Sequence, residues 1–286
     1  MDTIFRVWSD SFEDGKPIPE GFAFAKPDPM GKEHTLPAGN RNPQIAWSNP
    51  PLGTKSLIVI CEDNDVPADF SKANVEGETI PADAPRTSFI HWVLVDIVPE
   101  EPCIDAASLS KGISPRGKRG PACANGMRQG LNDYTDAFKG DPNNEGHYYG
   151  YDGPCPPWND ERVHRYVFTV YAVDFPLLPL KGSFNGRDVI KAMKGHILAS
   201  ASTVGTYTLN PKLLKNSLIA FSTKGRFSRP FGFYWSLSHG TKAICSRPSV
   251  SGRPMTRFMA CTACPAEPLT KLSSTTKITK RSGSLR

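Results

Sequence analysis

Four runs of β-branched, aromatic and aliphatic residues, set apart by proline- and glycine-rich connections, restrict what this chain can fold into. Ser56-Leu-Ile-Val-Ile-Cys61 and Phe89 to Ile97 are nearly continuous apolar runs, the pattern of strands covered on both faces. Arg165-Tyr-Val-Phe-Thr-Val-Tyr-Ala-Val173 alternates instead, which puts His164, Tyr166, Phe168 and Val170 on one face. Thr203 to Thr208 is a shorter fourth run. The links between them are Asn49-Pro50-Pro51-Leu52-Gly53, Ser114 to Gly120 and Gly140 to Gly153. Short strands joined by turn-rich links predict a mainly β architecture, a sandwich or barrel with few helices. One helix is expected after Asn185, which can cap it, with Asp188 in its first turn. Val189, Ile190, Met193, Ile197 and Leu198 would form its apolar stripe and cover a sheet face or edge. Residues 68–88, with Asp69, Glu76, Glu78 and Asp83, read as a polar surface insertion between two strands.

Charge divides the chain in two. Residues 1–210 hold 20 Lys/Arg against 27 Asp/Glu, a net of −7, while residues 211–286 hold 14 against one, a net of +13. The overall +6 therefore belongs to the tail, and an argument from total charge to nucleic acid would misread the domain. In the tail, periodicity fades and aromatics such as Phe231, Phe233 and Trp235 interleave with basic residues. Three readings of it stand: a non-native read-through or frame-shifted extension, a disordered basic arm touching nucleic acid or anionic lipid, or a small folded addition. No run of 18 apolar residues occurs, so no transmembrane segment is expected. Met1-Asp2-Thr3-Ile4-Phe5-Arg6 lacks the basic region and apolar block of a secretory signal. The seven cysteines are odd in number and without framework spacing, which suits reduced thiols and a cytoplasmic location.

The chemistry concentrates at Tyr148-Tyr-Gly-Tyr-Asp-Gly-Pro-Cys-Pro-Pro157, followed by His164-Arg165-Tyr166. Proline fixes φ and glycine reaches unusual conformations, so this turn can hold backbone N–H groups in one pose beside a His–Tyr pair, as an anion pocket requires. Asp63 and Asp65 follow the first apolar run. They read either as turn caps ahead of Pro67 or as pocket carboxylates. His91 sits within an apolar strand and reads either as a satisfied core residue or as a pocket member. Trp92 would then point to the opposite face and pack. Cys61 and Cys155 have no basic neighbour in sequence and read as buried, inert thiols.

The segments Cys61-Glu-Asp-Asn-Asp-Val-Pro67, His91-Trp92, Asn132-Asp133-Tyr134, the Gly/Pro turn with His164, and Gly195-His196-Ile-Leu-Ala199 running to Gly205-Thr206-Tyr207 occur in the order and spacing of one family. The chain resembles the phosphatidylethanolamine-binding protein family, which includes the Raf kinase inhibitor proteins, and its bacterial branch in particular. The resemblance covers residues 1–211, where the family's domain ends, and leaves 212–286 as an unmatched tail. It implies a β-sandwich with one or more peripheral helices. It further implies a pocket lined by Asp63, His91, Gly153, Pro154, His164 and Tyr166, supported by Asp65, Pro67, Trp92 and Arg165. In this sequence Asn64 stands between the two acids where the family usually has proline.

The resemblance implies binding, not turnover. The ligand would be a phosphate-containing small molecule or phospholipid head group, bound without catalytic residue, metal or cofactor. In eukaryotic relatives a protein kinase is the partner. Two rival readings remain: a small hydrolase or metal-dependent enzyme using Asp63, His91 and His164, and a nucleic-acid or anionic-lipid binder driven by the tail. The sequence has no nucleophile elbow, no His-x-x-x-His and no Walker loop.

Overall fold

The computed structural model describes residues 4–214; the expected tail lies outside the described residues apart from 212–214. The strands are β1 (Arg6–Trp8), β2 (Lys16–Pro17), β3 (Ala25–Pro27), β4 (Thr35–Pro37), β5 (Ile45–Ser48), β6 (Ser56–Pro67), β7 (Arg86–Ile97), β8 (Cys103–Ile104), β9 (Gly117–Lys118), β10 (Arg128–Gln129), β11 (His147–Tyr148), β12 (His164–Val173) and β13 (Ile197–Tyr207). Among the described residues two α-helices accompany them, α1 (Tyr134–Ala137) and α2 (Gly186–Met193). The fold is mainly β, as the apolar runs require.

A six-stranded sheet in the order β10-β7-β6-β12-β13-β2 forms the centre, and a three-stranded sheet, β1-β5-β8, faces it. Because strand side chains alternate, β6 feeds two cores at once. Leu57, Val59 and Cys61 pack with Phe168 and Val170 of β12 and with Ile45 and Trp47 of the small sheet. Ile58 and Ile60 pack on the other side with Ile90, Val93 and Val95 of β7 and with Val189 and Met193 of α2. The result is three layers: small sheet, large sheet, helix. Two-sided burial is why β6 and β7 read as continuous apolar runs while β12 alternates.

Helix α2 starts where expected. The Asn185 side chain accepts from the Asp188 N–H at 3.1 Å, and the Asp188 carboxylate accepts from the Asn185 N–H at 3.0 Å. Such a reciprocal cap stabilises a helix start by about 1 kcal/mol. Its end differs from the expectation. The chain leaves helical geometry at Lys194, and Gly195 follows with φ +84°. Ile197 and Leu198 therefore open β13 and lie exposed, and Ile190 is 45% exposed, so Val189 and Met193 alone of the expected stripe are buried.

The insertion between β6 and β7 spans residues 68–85. At the far end of the domain, the Asn210 side chain donates to the Asp160 carbonyl at 2.8 Å and accepts from the Lys212 N–H at 2.9 Å. Cys61, Cys123 and Cys155 are free thiols, whereas Cys103 is disulfide-bonded, which departs from the expectation that all are reduced. Among the described residues no helix is long and apolar enough to cross a membrane.

Candidate functional site

The site begins with a register irregularity. Asp63 pairs with Phe89 on one side and Tyr166 on the other; Cys61 pairs with Trp92 and with Phe168. Two steps along β6 thus match three along β7, so β7 carries one extra residue, and the shift falls between Cys61 and Glu62. A β-bulge of this kind bends the strand and re-aims side chains. It places His91 and Trp92 on the same side of the sheet, not on opposite faces as strict alternation would have it. The His91 ring meets Phe89 at 4.8 Å and Tyr166 at 5.1 Å between centroids, while Trp92 packs into the core against Tyr151 at 5.5 Å.

His91 is buried, and its orientation is set by one residue. Its Nδ1–H donates to the Asp152 carbonyl at 2.8 Å, and the Asp152 N–H donates to the His91 carbonyl at 3.0 Å. A carbonyl can only accept, so the proton of the neutral ring sits on Nδ1 and Nε2 carries a lone pair. Burial lowers the His91 pKa below its ordinary value, against the opposing pull of Asp63, the Asp152 carbonyl and Asp133. Asp152 is held in turn by Asn40 at 2.7 Å, Asn132 at 2.8 Å and the Lys118 ammonium at 2.9 Å.

His164 is the opposite case. Its Nδ1 meets Asp63 Oδ2 at 2.7 Å and its Nε2 meets Asp160 Oδ2 at 3.1 Å, all three side chains being buried. Arg86 closes the row with two bonds to Asp160, at 2.5 and 3.1 Å. Burial by itself would pull this imidazole down. Hydrogen bonds to Asp160 and Asp63, with their charges, outweigh it and push the pKa up to about 9. His164 is therefore an imidazolium with both N–H groups committed to carboxylates.

Both readings of the Asp pair hold together. Asp63 Oδ1 accepts the Asp65 N–H at 2.8 Å, a turn cap, while Oδ2 serves His164. Asp65 grips Arg165 through Nε at 2.9 Å and Arg162 through Nε at 3.0 Å. Hydrogen bonds and charge from Arg165 and Arg162 hold the Asp65 pKa low despite burial. Pro67 ends β6 opposite Arg86.

The cleft at this end of the sheet measures about 250 Å3 and takes Asp63, His91, His164 and Tyr166 as its polar lining. Its walls are apolar, led by Phe24, Phe70, Phe89, Tyr134 and Phe138. Among the described residues no Lys or Arg lines it. Gly153 and Pro154, expected in the lining, lie behind it. The Gly153 N–H donates to Asn40 Oδ1 at 2.8 Å, its carbonyl accepts the Tyr134 hydroxyl at 2.8 Å, and a Cβ there would stand 2.1 Å from the Phe22 carbonyl oxygen. The Pro154 carbonyl accepts the Phe24 N–H at 2.9 Å. The turn is thus stitched to residues 22–25, and the next residues, Cys155, Pro156 and Pro157, reach the cleft. The Cys155 residue is exposed there, not buried as expected, yet desolvation of its thiol pushes the pKa up to about 11 and keeps it the unreactive thiol expected.

Four buried side-chain polar atoms among the described residues lack a partner, Trp47 Nε1, Trp92 Nε1, Gln129 Oε1 and the Tyr166 hydroxyl, and of these residues only Tyr166 lines the cleft. The residue is 1% exposed and its OH has no hydrogen-bond partner among the described residues. An orphaned buried hydroxyl costs stability, and this one sits beside a cleft. Sequence reasoning missed Phe89 and Phe24. Phe89 carried a signal, standing two residues before His91 in a strand; Phe24 carried none. It also missed Asp160 and Asp152, acids whose burial only the fold reveals. Among the described residues no group of three or more His, Cys, Asp or Glu side chains could hold a metal ion.

The architecture defines a β-sandwich with a small aromatic-walled cleft at the end of its central strands. The family model described as phosphatidylethanolamine-binding protein matches residues 8–208. The chain belongs to that family. A UPF0098 protein of Aquifex aeolicus is 30% identical over 204 residues, covering 71% of this chain and 88% of that protein. A UPF0098 protein of Methanothermobacter thermautotrophicus is 31% identical over 174 residues, covering 61% and 87%. The crystal structure of Escherichia coli YbcL, described as a member of the mammalian PEBP family, superposes with TM-score 0.50 at 24% identity and covers 71% of this chain and 98% of that one, a likeness of fold.

Proposed function

We propose that this chain is a non-catalytic binding protein whose cleft takes a small phosphate-containing molecule or phosphorylated head group. The observation that carries the reading is the buried, unpartnered Tyr166 hydroxyl at the polar end of an otherwise apolar cleft. The Cys155 backbone N–H, which has no acceptor among the described residues, is a second donor at the cleft. His91 supplies a third when its Nε2 takes up a proton. The Asp63 carboxylate would repel an anion if it stood alone, but the His164 imidazolium already neutralises it. Binding is favoured over turnover because His164 has no free ring nitrogen with which to shuttle a proton, and His91, whose Nε2 is free, is backed by a backbone carbonyl and not by the carboxylate of a catalytic dyad.

Calorimetric titration of the intact chain with phosphoethanolamine tests this, with Tyr166→Phe as the control. The 14 Lys/Arg after residue 210 can attract anions by themselves, and the variant isolates the cleft. A saturable site weakened by Tyr166→Phe supports the reading. Equal heats for parent and variant would exclude the cleft as the site.

A further inference from the structure

The cleft has a depth axis. His91 and Tyr166, its polar groups, are 3% and 1% exposed and lie deep, while Phe70 is 55% exposed and stands at the rim. Phe70 comes from the 68–85 insertion, and that insertion is fastened. The buried Asn159 side chain accepts the Asn74 N–H at 2.9 Å and donates to the Lys72 and Glu78 carbonyls at 2.8 and 3.2 Å. The Ile80 N–H donates to the Asn159 carbonyl at 3.1 Å, and the Trp158 N–H to Asn74 Oδ1 at 3.0 Å. Asn159 follows Pro156 and Pro157 of the cleft wall by one residue, Trp158, so the insertion and the wall are held as one piece and Phe70 has a set place.

Size narrows the occupant. About 250 Å3 falls below the roughly 300–1,000 Å3 of clefts that enclose a drug-sized ligand. A polar head and one ring fit; the chains of a diacyl lipid do not. With donors deep and aromatic faces outward, a ligand that ends at its phosphate would leave the Phe70 wall uncovered.

Resting on the phosphate-binding reading above, we propose that Phe70 selects ligands with an apolar body behind the phosphate, and that the preferred class is the aryl phosphomonoesters. The ring lies against Phe70 in the outer cleft while the phosphate reaches Tyr166 and His91. The insertion is then a specificity element, and Asn159 its positioning residue.

The test is calorimetry on the full chain at pH 6 with three probes: inorganic phosphate, phosphoethanolamine and phenyl phosphate. Phenyl phosphate should bind tightest. Phe70→Ala, at an exposed position, should weaken phenyl phosphate about two- to tenfold, the worth of one aromatic pair, and leave inorganic phosphate unchanged. If phosphoethanolamine binds as tightly as phenyl phosphate, or Phe70→Ala leaves phenyl phosphate unaffected, the selection is overturned while the phosphate site stands. If none of the three binds, the phosphate reading fails and this inference with it.

Discussion

His164 Nδ1 lies 2.7 Å from Asp63 Oδ2, and this one bond ties the start of β12 to the turn-forming end of β6. Asp160 grips the other ring nitrogen at 3.1 Å, so the imidazolium is the centre of a buried carboxylate–imidazolium–carboxylate row that Arg86 completes.

That row makes stability sensitive to alkali. The folded His164 pKa of about 9 lies above its unfolded value near 6.5. Its contribution is fully present below about pH 6.5, declines above that and is lost as pH rises through about 9. The contribution is of order 3 kcal/mol, since each pKa unit is worth about 1.4 kcal/mol. Melting temperature followed from pH 6 to pH 10 should fall across this window. His164→Ala, which leaves the buried Asp63 carboxylate without its charge partner and Asp160 with Arg86 alone, should destabilise by about 3–5 kcal/mol. An NMR titration of His164 with a midpoint near 6.5 would refute the assignment.

His91 should titrate on the other side. Burial lowers its pKa, so the free protein holds it neutral at pH 7. An anion at Nε2 favours the protonated ring, and binding therefore takes up a proton. Affinity for phosphoethanolamine should rise as pH falls from 7.5 to 5.5, and His91→Ala should flatten that dependence. His164 stays protonated throughout this range and cannot supply it. A pH slope that survives in His91→Ala would refute the role.

Tyr166→Phe should separate affinity from stability. The ring keeps its packing, while a buried hydroxyl without a partner disappears. Removing that desolvation cost should hold or raise stability, by up to about 1 kcal/mol. Loss of a hydrogen bond to a charged ligand should weaken phosphoethanolamine by about 1.5–3 kcal/mol. A drop in melting temperature would instead show that the hydroxyl stabilises the empty protein.

Gly153→Ala tests the turn behind the cleft. The added methyl would meet the Phe22 carbonyl oxygen at 2.1 Å, a backbone atom with little room to give. The turn must shift, at a cost of about 1–3 kcal/mol or more. Chemical denaturation of the variant measures it, and an unchanged midpoint would mean that residues 22–25 yield freely.

Much was legible in the chain, for identifiable reasons. Apolar runs at 56–61 and 89–97 and the alternation from His164 to Val170 reflect burial on two faces or one, and burial pattern is a local property of sequence. Asn185 and Asp188 announced a helix start because a capping box closes within four residues. Its end was not legible: Ile190, Ile197 and Leu198 keep a helical spacing, but Gly195 turns the chain into β13.

What only the tertiary structure decided depends on groups far apart in sequence. The extra residue in β7 shows solely in its register with β6, and it put His91 and Trp92 on one side of the sheet. Two histidines alike in sequence became a neutral ring and an imidazolium because one found a carbonyl 61 residues away, while the other found a carboxylate 101 residues away and a second four residues before it. Gly153 and Pro154 sit in the turn the sequence singled out, yet bonds to Asn40 and Phe24 place them behind the cleft. Residue types and local periodicity settle which strands form and which side chains can carry charge or donate. Pairing register and long-range hydrogen bonds settle where those side chains point and in which protonation state, since both depend on the field and partners that only the folded chain assembles.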